Sequence, residues 1–108
     1  MENPLVSIIM NCHNGERFLR EAIDSVYAQT YSNWEIIFWD NVSTDDSSSI
    51  AQSYDNRLRY YLSEGFTSLG MARELAVQKS NGEYVAFLDC DDFWHHSKLS
   101  MQIPLFFR

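Results

Sequence analysis

The sequence is poor in glycine, proline, cysteine and long apolar runs, and each shortage excludes a class of protein. Only 4 Gly and 2 Pro among 108 residues exclude a disordered or low-complexity chain. The 2 cysteines, Cys12 and Cys90, both fall at predicted strand ends, but so few fit a reducing compartment better than a disulfide framework. No apolar run approaches the roughly 20 residues that cross a bilayer, and no signal region precedes the first strand. We therefore expect a cytoplasmic protein, at most peripheral to the inner face of the membrane.

Basic residues are also few. The chain has 8 Lys and Arg against 15 Asp and Glu, for a formal net charge of -7. The clustered cations that bind nucleic acid or an anionic membrane are missing, so an anionic ligand would have to bring a cation with it. What the chain does have is 45% hydrophobic and 15% aromatic residues. That content indicates a single globular domain over residues 1–108.

Four β-rich runs alternate with helical patterns. The runs start at residues 5, 34, 58 and 84, the spacing expected for parallel strands joined by crossover helices. Leu5–Met10 is almost wholly apolar, which predicts a strand covered on both faces, and the apolar run Tyr84–Leu88 predicts a buried strand. Helical patterns predict three helices. The first ends near Gln29, the second begins at Ser43–Asp46, and the third spans Ser68–Lys79 and is followed by a left-handed cap at Asn81-Gly82. The sequence thus predicts an α/β fold whose mostly parallel sheet of about four strands is flanked by helices.

Polar and acidic residues follow the predicted strands. Asp89-Cys90-Asp91-Asp92 comes directly after the last apolar run, and Asn11–Asn14 and Asp40-Asn41 end the first two strands. Ligands of open α/β sheets bind at this carboxyl edge. Three carboxylates after a buried strand repel one another unless a cation lies between them. A hard divalent ion held by carboxylates together with substrate phosphates meets that need, so we expect Mg²⁺ or Mn²⁺ and a phosphate-bearing ligand.

These segments together resemble family 2 glycosyltransferases of the GT-A fold, over nearly the whole chain. The similar segments are Val6–Ile9 with Asn14, Ser25-Val26, Gln29–Tyr31, Asp40 with Ser43–Asp45, Gly82–Tyr84, and Asp89–Asp92. The resemblance implies an enzyme that transfers a sugar from a nucleotide-sugar, UDP-linked in most members, to an acceptor hydroxyl with inversion and with a divalent metal. The acceptor would be a glycan or a lipid-linked glycan.

The resemblance also implies a metal site. Asp91 is expected to bind Mn²⁺ or Mg²⁺ directly. Asp89 and Asp92 are expected to contact the ribose, the sugar or metal-bound water, so that the three carboxylates share the metal and Asp89 and Asp91 also bind the nucleotide-sugar.

Four further residues are implied to bind the donor nucleotide. Asp40 is expected to read the edge of the base, and Asn11 and His13 to line the side of the base, with the His13 ring available for stacking. Arg73 is expected to approach the diphosphate.

The chain departs from the family pattern in three places. Asn41-Val42 stands where the family has Asp-Gly, and Glu74 where it commonly has Asn. The catalytic base is expected beyond Arg108, so residues 1–108 correspond to the donor-binding half, incomplete relative to the full fold and inactive alone. An apolar edge around Ile103–Phe107 is expected to drive homo-oligomerisation.

Two other functions remain open. One is a non-catalytic remnant that binds nucleotide or merely folds. The other is a phospho-receiver-like signalling domain, which would need paired acids after the first strand, where this chain has Asn11–Asn14.

Overall fold

The computed structural model describes residues 3–102, which form one parallel sheet with helices on both faces. The strands are β1 (Val6–Cys12), β2 (Trp34–Asp40), β3 (Leu58–Leu62) and β4 (Tyr84–Phe87). The helices are α1 (Glu16–Tyr27), α2 (Ser47–Gln52), α3 (Leu69–Val77) and α4 (Lys98–Gln102). The strand order is β3-β2-β1-β4, with every neighbouring pair parallel. The predicted α/β class and its four parallel strands are confirmed.

The chain reverses its direction of travel across the sheet beside β1. It moves from β1 to β2 to β3 through α1 and α2, which pack on one face. Helix α3 then carries the chain back over the opposite face to β4, on the far side of β1. The boundary between β1 and β4 is therefore the topological switch point, where the loops leave on opposite sides and open a crevice.

The sheet separates two cores. The larger core lies under α1, whose buried residues recur at helical spacing and whose first turn begins just after β1; they are Leu19, Ala22, Ile23 and Val26. The smaller core lies under α3, which buries only Ala72 and Ala76 against Ile9 and Ile37. Successive side chains of β1 point to opposite faces of the sheet, so the strand contributes residues to both cores. β1 is therefore central, as its continuous apolar run predicts.

Among residues 3–102 β4 is an edge strand, which corrects the prediction that the strand before the acidic cluster is buried. Val85 is 40% exposed and Phe87 48%. Both lie on the face that carries α3, and α3 packs over β1 and β2. Within residues 3–102 nothing covers the outer side of β4. An apolar run reveals that a strand can be buried, but not which element buries it.

Gly82 is not the left-handed helix cap that Asn81-Gly82 predicts. No glycine within residues 3–102 has a positive φ, and α3 ends with Gln78 in the right-handed region. Glycine is needed at this position because a Cβ would lie 2.6 Å from Ser7 Oγ and 2.7 Å from Ser7 N. The turn instead approaches β1 closely enough for Gly82 N to donate to Ser7 Oγ at 2.8 Å.

Other boundaries differ little from the prediction. α1 ends at Tyr27 rather than near Gln29, and the short helix α4 carried no sequence signal. None of the helices between residues 3 and 102 is long and apolar enough to cross a bilayer. The segment Ile103–Phe107, on which the predicted oligomer depends, lies outside the described residues.

Candidate functional site

The loops that follow β1 and β2 are hydrogen-bonded to each other through Asn14. Asn14 has a left-handed backbone, with φ 54°, and its Oδ1 accepts from Thr44 N at 2.7 Å and Asp45 N at 3.3 Å. In return Asn14 N donates to Ser43 Oγ at 2.9 Å. Asparagine tolerates this conformation better than most residues. The two loops therefore hold one another at the carboxyl edge of the sheet.

The start of α1 is capped by the β2–α2 loop. Gly15 N donates to Ser47 Oγ at 2.9 Å, and Glu16 N donates to Asp45 Oδ2 at 3.1 Å. Asp45 Oδ1 accepts from Ser47 N at 2.9 Å, so one carboxylate caps two helices. Its slight burial raises the pKa of Asp45, but these hydrogen bonds outweigh that effect and hold the pKa below its ordinary value. Asp46, the other predicted helix-start acid, makes no side-chain cap.

Val42 occupies the turn position where the family has glycine. Its φ is 56°, in the left-handed region that glycine adopts freely and a β-branched residue avoids. Such a backbone costs a residue with a Cβ about 1–2 kcal/mol. Valine in place of glycine therefore leaves the turn conformation unchanged, and the backbone of Val42 is strained.

Asp40 lies beneath this turn rather than at its surface. The residue is 0% exposed, and its carboxylate accepts from Ser43 N at 2.8 Å and from Tyr60 OH at 2.5 Å. Burial and the bond to Asp40 together raise the pKa of Tyr60. Asp40 lines neither of the two cavities described below. Its carboxylate supports the loop here, and a contact with the base stays a prediction.

His13 and Asn41 join the loop after β3 to the same edge. Asn41 pairs with Thr67 at two points, donating from Nδ2 to Thr67 O at 2.8 Å and accepting from Thr67 N at 3.0 Å. His13 Nδ1 lies 2.7 Å from Asn41 O. A carbonyl oxygen can only accept, so Nδ1 carries the proton and Nε2 is left as the acceptor. His13 therefore lies at this edge of the sheet, as predicted, and its hydrogen bond to Asn41 holds the ring in one orientation.

A cavity of about 240 Å³ opens between these three loops. It is lined by Asn11, Cys12, His13, Asn41, Phe66, Thr67, Ser68 and Leu69. The His13 and Phe66 rings meet edge to face with centroids 4.8 Å apart. Asn11 Oδ1 is buried and has no hydrogen-bond partner among the described residues. A buried acceptor without a donor is costly, so Asn11 carries an unmet hydrogen bond beside a cavity that it lines.

A larger cavity of about 510 Å³ adjoins the first at the switch point. The two share Asn11, His13 and Leu69. The remaining lining residues are Asn14, Gly15, Arg17, Phe18, Asp89, Cys90 and Asp91. The structure thus brings Asn11, His13, Asp89 and Asp91 to one continuous groove, as predicted from the ends of β1 and β4.

The three carboxylates after β4 have different surroundings. Asp89 Oδ1 lies 3.5 Å from Arg73 Nη2 in an exposed ion pair. Asp92 Oδ1 accepts from Phe93 N at 2.8 Å. Asp91 is exposed and has no hydrogen bond or ion pair with any other residue between 3 and 102. Asp91 is therefore the carboxylate whose oxygens are free for a ligand in the larger cavity.

A hard divalent ion fits this set of donors. No three His, Cys, Asp or Glu side chains within residues 3–102 form a ready-made metal site. Mg²⁺ and Mn²⁺ do not require one, because they keep several waters and are held by one or two carboxylates together with substrate phosphates. Asp91, with Asp89 beside it on an open cavity, offers that number of oxygen ligands.

Arg73 lies on the rim beside the acids rather than inside the cavity. Its guanidinium sits 5.3 Å from the centroid of the Phe87 ring and pairs with Asp89. An exposed ion pair of this kind contributes at most about 1 kcal/mol. The weak pair leaves Arg73 free to exchange Asp89 for another anion.

Cys90 lines the larger cavity and Cys12 the smaller one, and neither is in a disulfide. A hydrogen bond from the Cys90 thiol lowers the pKa of Cys12 to about 7, although burial opposes the shift. The same contact, together with burial, raises the pKa of Cys90.

Sequence reasoning placed Asn14 and Asn41 at this edge without assigning their contacts, and it missed Ser47 and Phe66. Asn14, Ser47 and Asn41 make the bonds that hold the loops together, and Phe66 forms one side of the smaller cavity. Asn and Ser at strand ends are a signal for loop hydrogen bonds. Their partners lie 26 to 32 residues away, so no local pattern identifies them.

Comparison with known proteins agrees with this geometry. A family model described as glycosyl transferase family 2 matches residues 7–108. The Escherichia coli protein WfgD, named a UDP-Glc:alpha-D-GlcNAc-diphosphoundecaprenol beta-1,3-glucosyltransferase, is 37% identical over 109 residues, covering 100% of this chain and 43% of WfgD.

Two solved structures share the fold. S. aureus TarS 1-349 in complex with UDP has a TM-score of 0.86 and 27% identity, over 92% of this chain and 31% of TarS. The Pyrobaculum calidifontis mannosyltransferase PcManGT, in complex with GDP-Man and Mn²⁺, has a TM-score of 0.79 and 25% identity, over 87% of this chain and 29% of PcManGT. The chain thus spans less than half the length of each of these proteins. The predicted GT-A fold, present here in part, is confirmed.

Proposed function

Because the chain belongs to glycosyl transferase family 2, we propose that it is the donor-binding part of an inverting, metal-dependent enzyme that transfers a sugar from a UDP-sugar. TarS in complex with UDP and with UDP-GlcNAc supports the donor, and PcManGT with Mn²⁺ supports the metal. The name of WfgD supports a lipid-linked glycan as acceptor. Family membership sets aside the phospho-receiver alternative.

The observation that carries the proposal is the unpaired Asp91 carboxylate on the cavity at the switch point. In a chain of net charge -7, a diphosphate approaching Asp89 and Asp91 would be repelled without a cation. When bound there, a divalent metal stabilises the negative charge that develops on the departing diphosphate. Asp91 would hold the metal, and Asp89, loosely paired with Arg73, would hold metal-bound water or the sugar.

Asn11 supplies a reason to prefer uracil to cytosine. PcManGT is in complex with a guanine nucleotide, so the fold does not by itself determine the base. The buried Asn11 Oδ1 lacks a donor, and the N3–H of uracil is one, whereas N3 of cytosine is an acceptor. We propose that the base enters the 240 Å³ cavity that His13 and Phe66 help to line, with its N3–H directed at Asn11.

Calorimetry with UDP and Mn²⁺ tests the metal site. We expect binding that requires Mn²⁺ and that weakens at least about tenfold, or about 1.4 kcal/mol, in Asp91→Asn. Glu21→Gln, an exposed acid on α1, serves as the matched control and should bind like the unmodified chain. Binding of UDP that is indifferent to Mn²⁺, or equal in the two variants, would refute the assignment.

A second titration tests the base. The ratio of CDP to UDP dissociation constants should fall at least about tenfold in Asn11→Ala, because the variant loses the acceptor that distinguishes the two bases. The contacts of Asp40 with the base and of Arg73 with the diphosphate stay predictions, and loss of UDP affinity in Asp40→Asn or Arg73→Gln would support them.

Transfer itself requires an acceptor site and a base, which we propose lie outside residues 1–108. The 108-residue chain should therefore bind UDP-glucose without releasing UDP above the uncatalysed rate. Failure to bind any nucleotide would favour the non-catalytic remnant over the donor half. The cytoplasmic location and the oligomer remain predictions, which fractionation and sedimentation can test.

A further inference from the structure

The two cysteines lie where neighbouring strands end. Cys12 is the last residue of β1, and Cys90 lies in the turn that follows β4. β1 and β4 pair in parallel as far as Ile9 and Phe87, and Leu88 N donates to Ile9 O at 3.0 Å beyond that pair. Both cysteines pack against the larger core, so both lie on the same side of the sheet.

Gly15 gives a measure of how close the two sulfurs lie. A Cβ on Gly15 would be 2.6 Å from Cys90 Sγ and 2.9 Å from Cys12 Sγ. The sulfurs therefore cannot be more than about 5.5 Å apart, the sum of those distances. A side chain at residue 15 would meet both sulfurs. Glycine leaves the space in which a bond between them can close.

The two thiols differ in access. Cys12 is only 2% exposed. Cys90 is partly exposed and lines the 510 Å³ cavity. A reagent in this cavity reaches Cys90, the more exposed of the two thiols, and Cys12, which lines the adjoining 240 Å³ cavity, is the second thiol.

We propose that Cys12 and Cys90 form a reversible dithiol–disulfide pair, oxidised by small-molecule disulfides of the glutathione class. Cys12 first gives its proton to solvent, and its thiolate then takes the proton of the neighbouring Cys90 thiol. The Cys90 sulfur attacks one sulfur of the small disulfide. One thiol molecule leaves after taking up a proton, and a mixed disulfide remains on Cys90. Cys12 then loses its proton and attacks Cys90 Sγ, releasing the second thiol molecule. The protein loses two hydrogens, and the small disulfide is reduced to two thiols.

The bond would join the segment after β4 to the end of β1. Cys12 lies between Asn11 and His13, and Cys90 lies between Asp89 and Asp91. A disulfide would therefore tie the carboxylates after β4 to the residues that line both cavities. This last consequence bears on donor binding and rests on the proposed function, whereas the pair itself does not.

Mass spectrometry tests the pair without any nucleotide. The reduced chain is incubated with oxidised glutathione, quenched with acid, alkylated and digested with trypsin. Cleavage after Arg17, Lys79 and Lys98 puts Cys12 and Cys90 on separate peptides. We expect the two peptides to be linked, glutathione to be absent from the product, and dithiothreitol to restore both thiols.

Cys12→Ser provides the comparison. In this variant the mixed disulfide cannot be resolved, so glutathione on Cys90 should accumulate at least about tenfold above its level in the unmodified chain. Equal glutathione on the two proteins, linkage between chains instead of within one, or two thiols that stay reactive would each overturn the proposal.

Gly15→Ala should lower the rate of linkage at least about tenfold, because its Cβ occupies the space between the sulfurs. Gly65→Ala, which meets no atom within 4 Å, is the control and should not change the rate. Circular dichroism checks that both variants fold. If Gly15→Ala does not fold, the comparison with Cys12→Ser still decides the question.

Discussion

Replacing Val42 by glycine should cost this protein little or no stability, against the usual effect of glycine. Val42 has φ 56° in the turn between β2 and α2. The turn cannot relax easily, because Ser43 N donates to Asp40 and Thr44 N donates to Asn14. A residue with a Cβ therefore keeps a strain of about 1–2 kcal/mol, which glycine removes.

Two losses offset this gain. Glycine has more freedom in the unfolded chain, which costs about 0.5–1 kcal/mol. Val42 is half-buried, so removing its side chain also costs about 1 kcal/mol. The gain and the two losses nearly cancel, so Val42→Gly should unfold with a free energy within about 0.5 kcal/mol of the unmodified chain.

Val42→Ala is the informative comparison, because alanine loses the same contacts and keeps the strain. The glycine variant should exceed the alanine variant by about 1 kcal/mol in free energy of unfolding. Urea titrations followed by circular dichroism measure both. Val77→Gly in α3 is a control for glycine at a helical position, and it should be destabilising by about 1 kcal/mol. A Val42→Gly protein no more stable than Val42→Ala would refute the strain.

Three further predictions concern stability. Gly82→Ala should lower the free energy of unfolding by at least about 2 kcal/mol, because its Cβ would strike the backbone of β1. Gly70→Ala in α3, where a Cβ meets nothing within 4 Å, should raise it by about 0.5–1 kcal/mol. Urea titration compares the two variants. Tyr60→Phe should cost about 2 kcal/mol in the same assay, because it leaves an oxygen of the buried Asp40 carboxylate without a donor. Partial burial raises the pKa of Glu35, but its hydrogen bonds outweigh burial and lower the pKa overall. The stabilisation from Glu35 is therefore present above its unfolded pKa of about 4.3 and is lost as pH falls through the lower folded value. Between about pH 6 and pH 3 the free energy of unfolding should fall more steeply in the unmodified chain than in Glu35→Gln.

The fold was largely predictable because its signals are local. The alternation of apolar runs with helical spacing identified four parallel strands and three of the helices, and β2 was predicted to within a residue. α4 was missed because its five residues carry too little periodicity to register. The edge position of β4 was missed for a different reason: strand order depends on which elements pack together, and residues 84 to 88 read the same at an edge or in the centre.

The candidate site was predictable in position but not in its internal roles. Strand ends carrying Asn11, His13 and Asp91 converge because parallel strands finish at one edge of the sheet. Asp40 also follows a strand, yet its carboxylate points down to Tyr60 and is buried. Side-chain direction at a strand end depends on the next turn and on the neighbouring strand, and neither can be read at the residue itself.

The sequence by itself determined the class of fold, the family, and the accumulation of carboxylates at one edge, because these follow from local periodicity and from residue types in order. Only the tertiary structure decided which of those carboxylates is free. Asp89 meets Arg73, Asp92 meets its own backbone, and Asp91 stays unpaired within the described residues. Tertiary structure also brought Cys12 within reach of Cys90, 78 residues later along the chain. Both outcomes depend on contacts between distant segments, which exist only once the strands have been placed side by side.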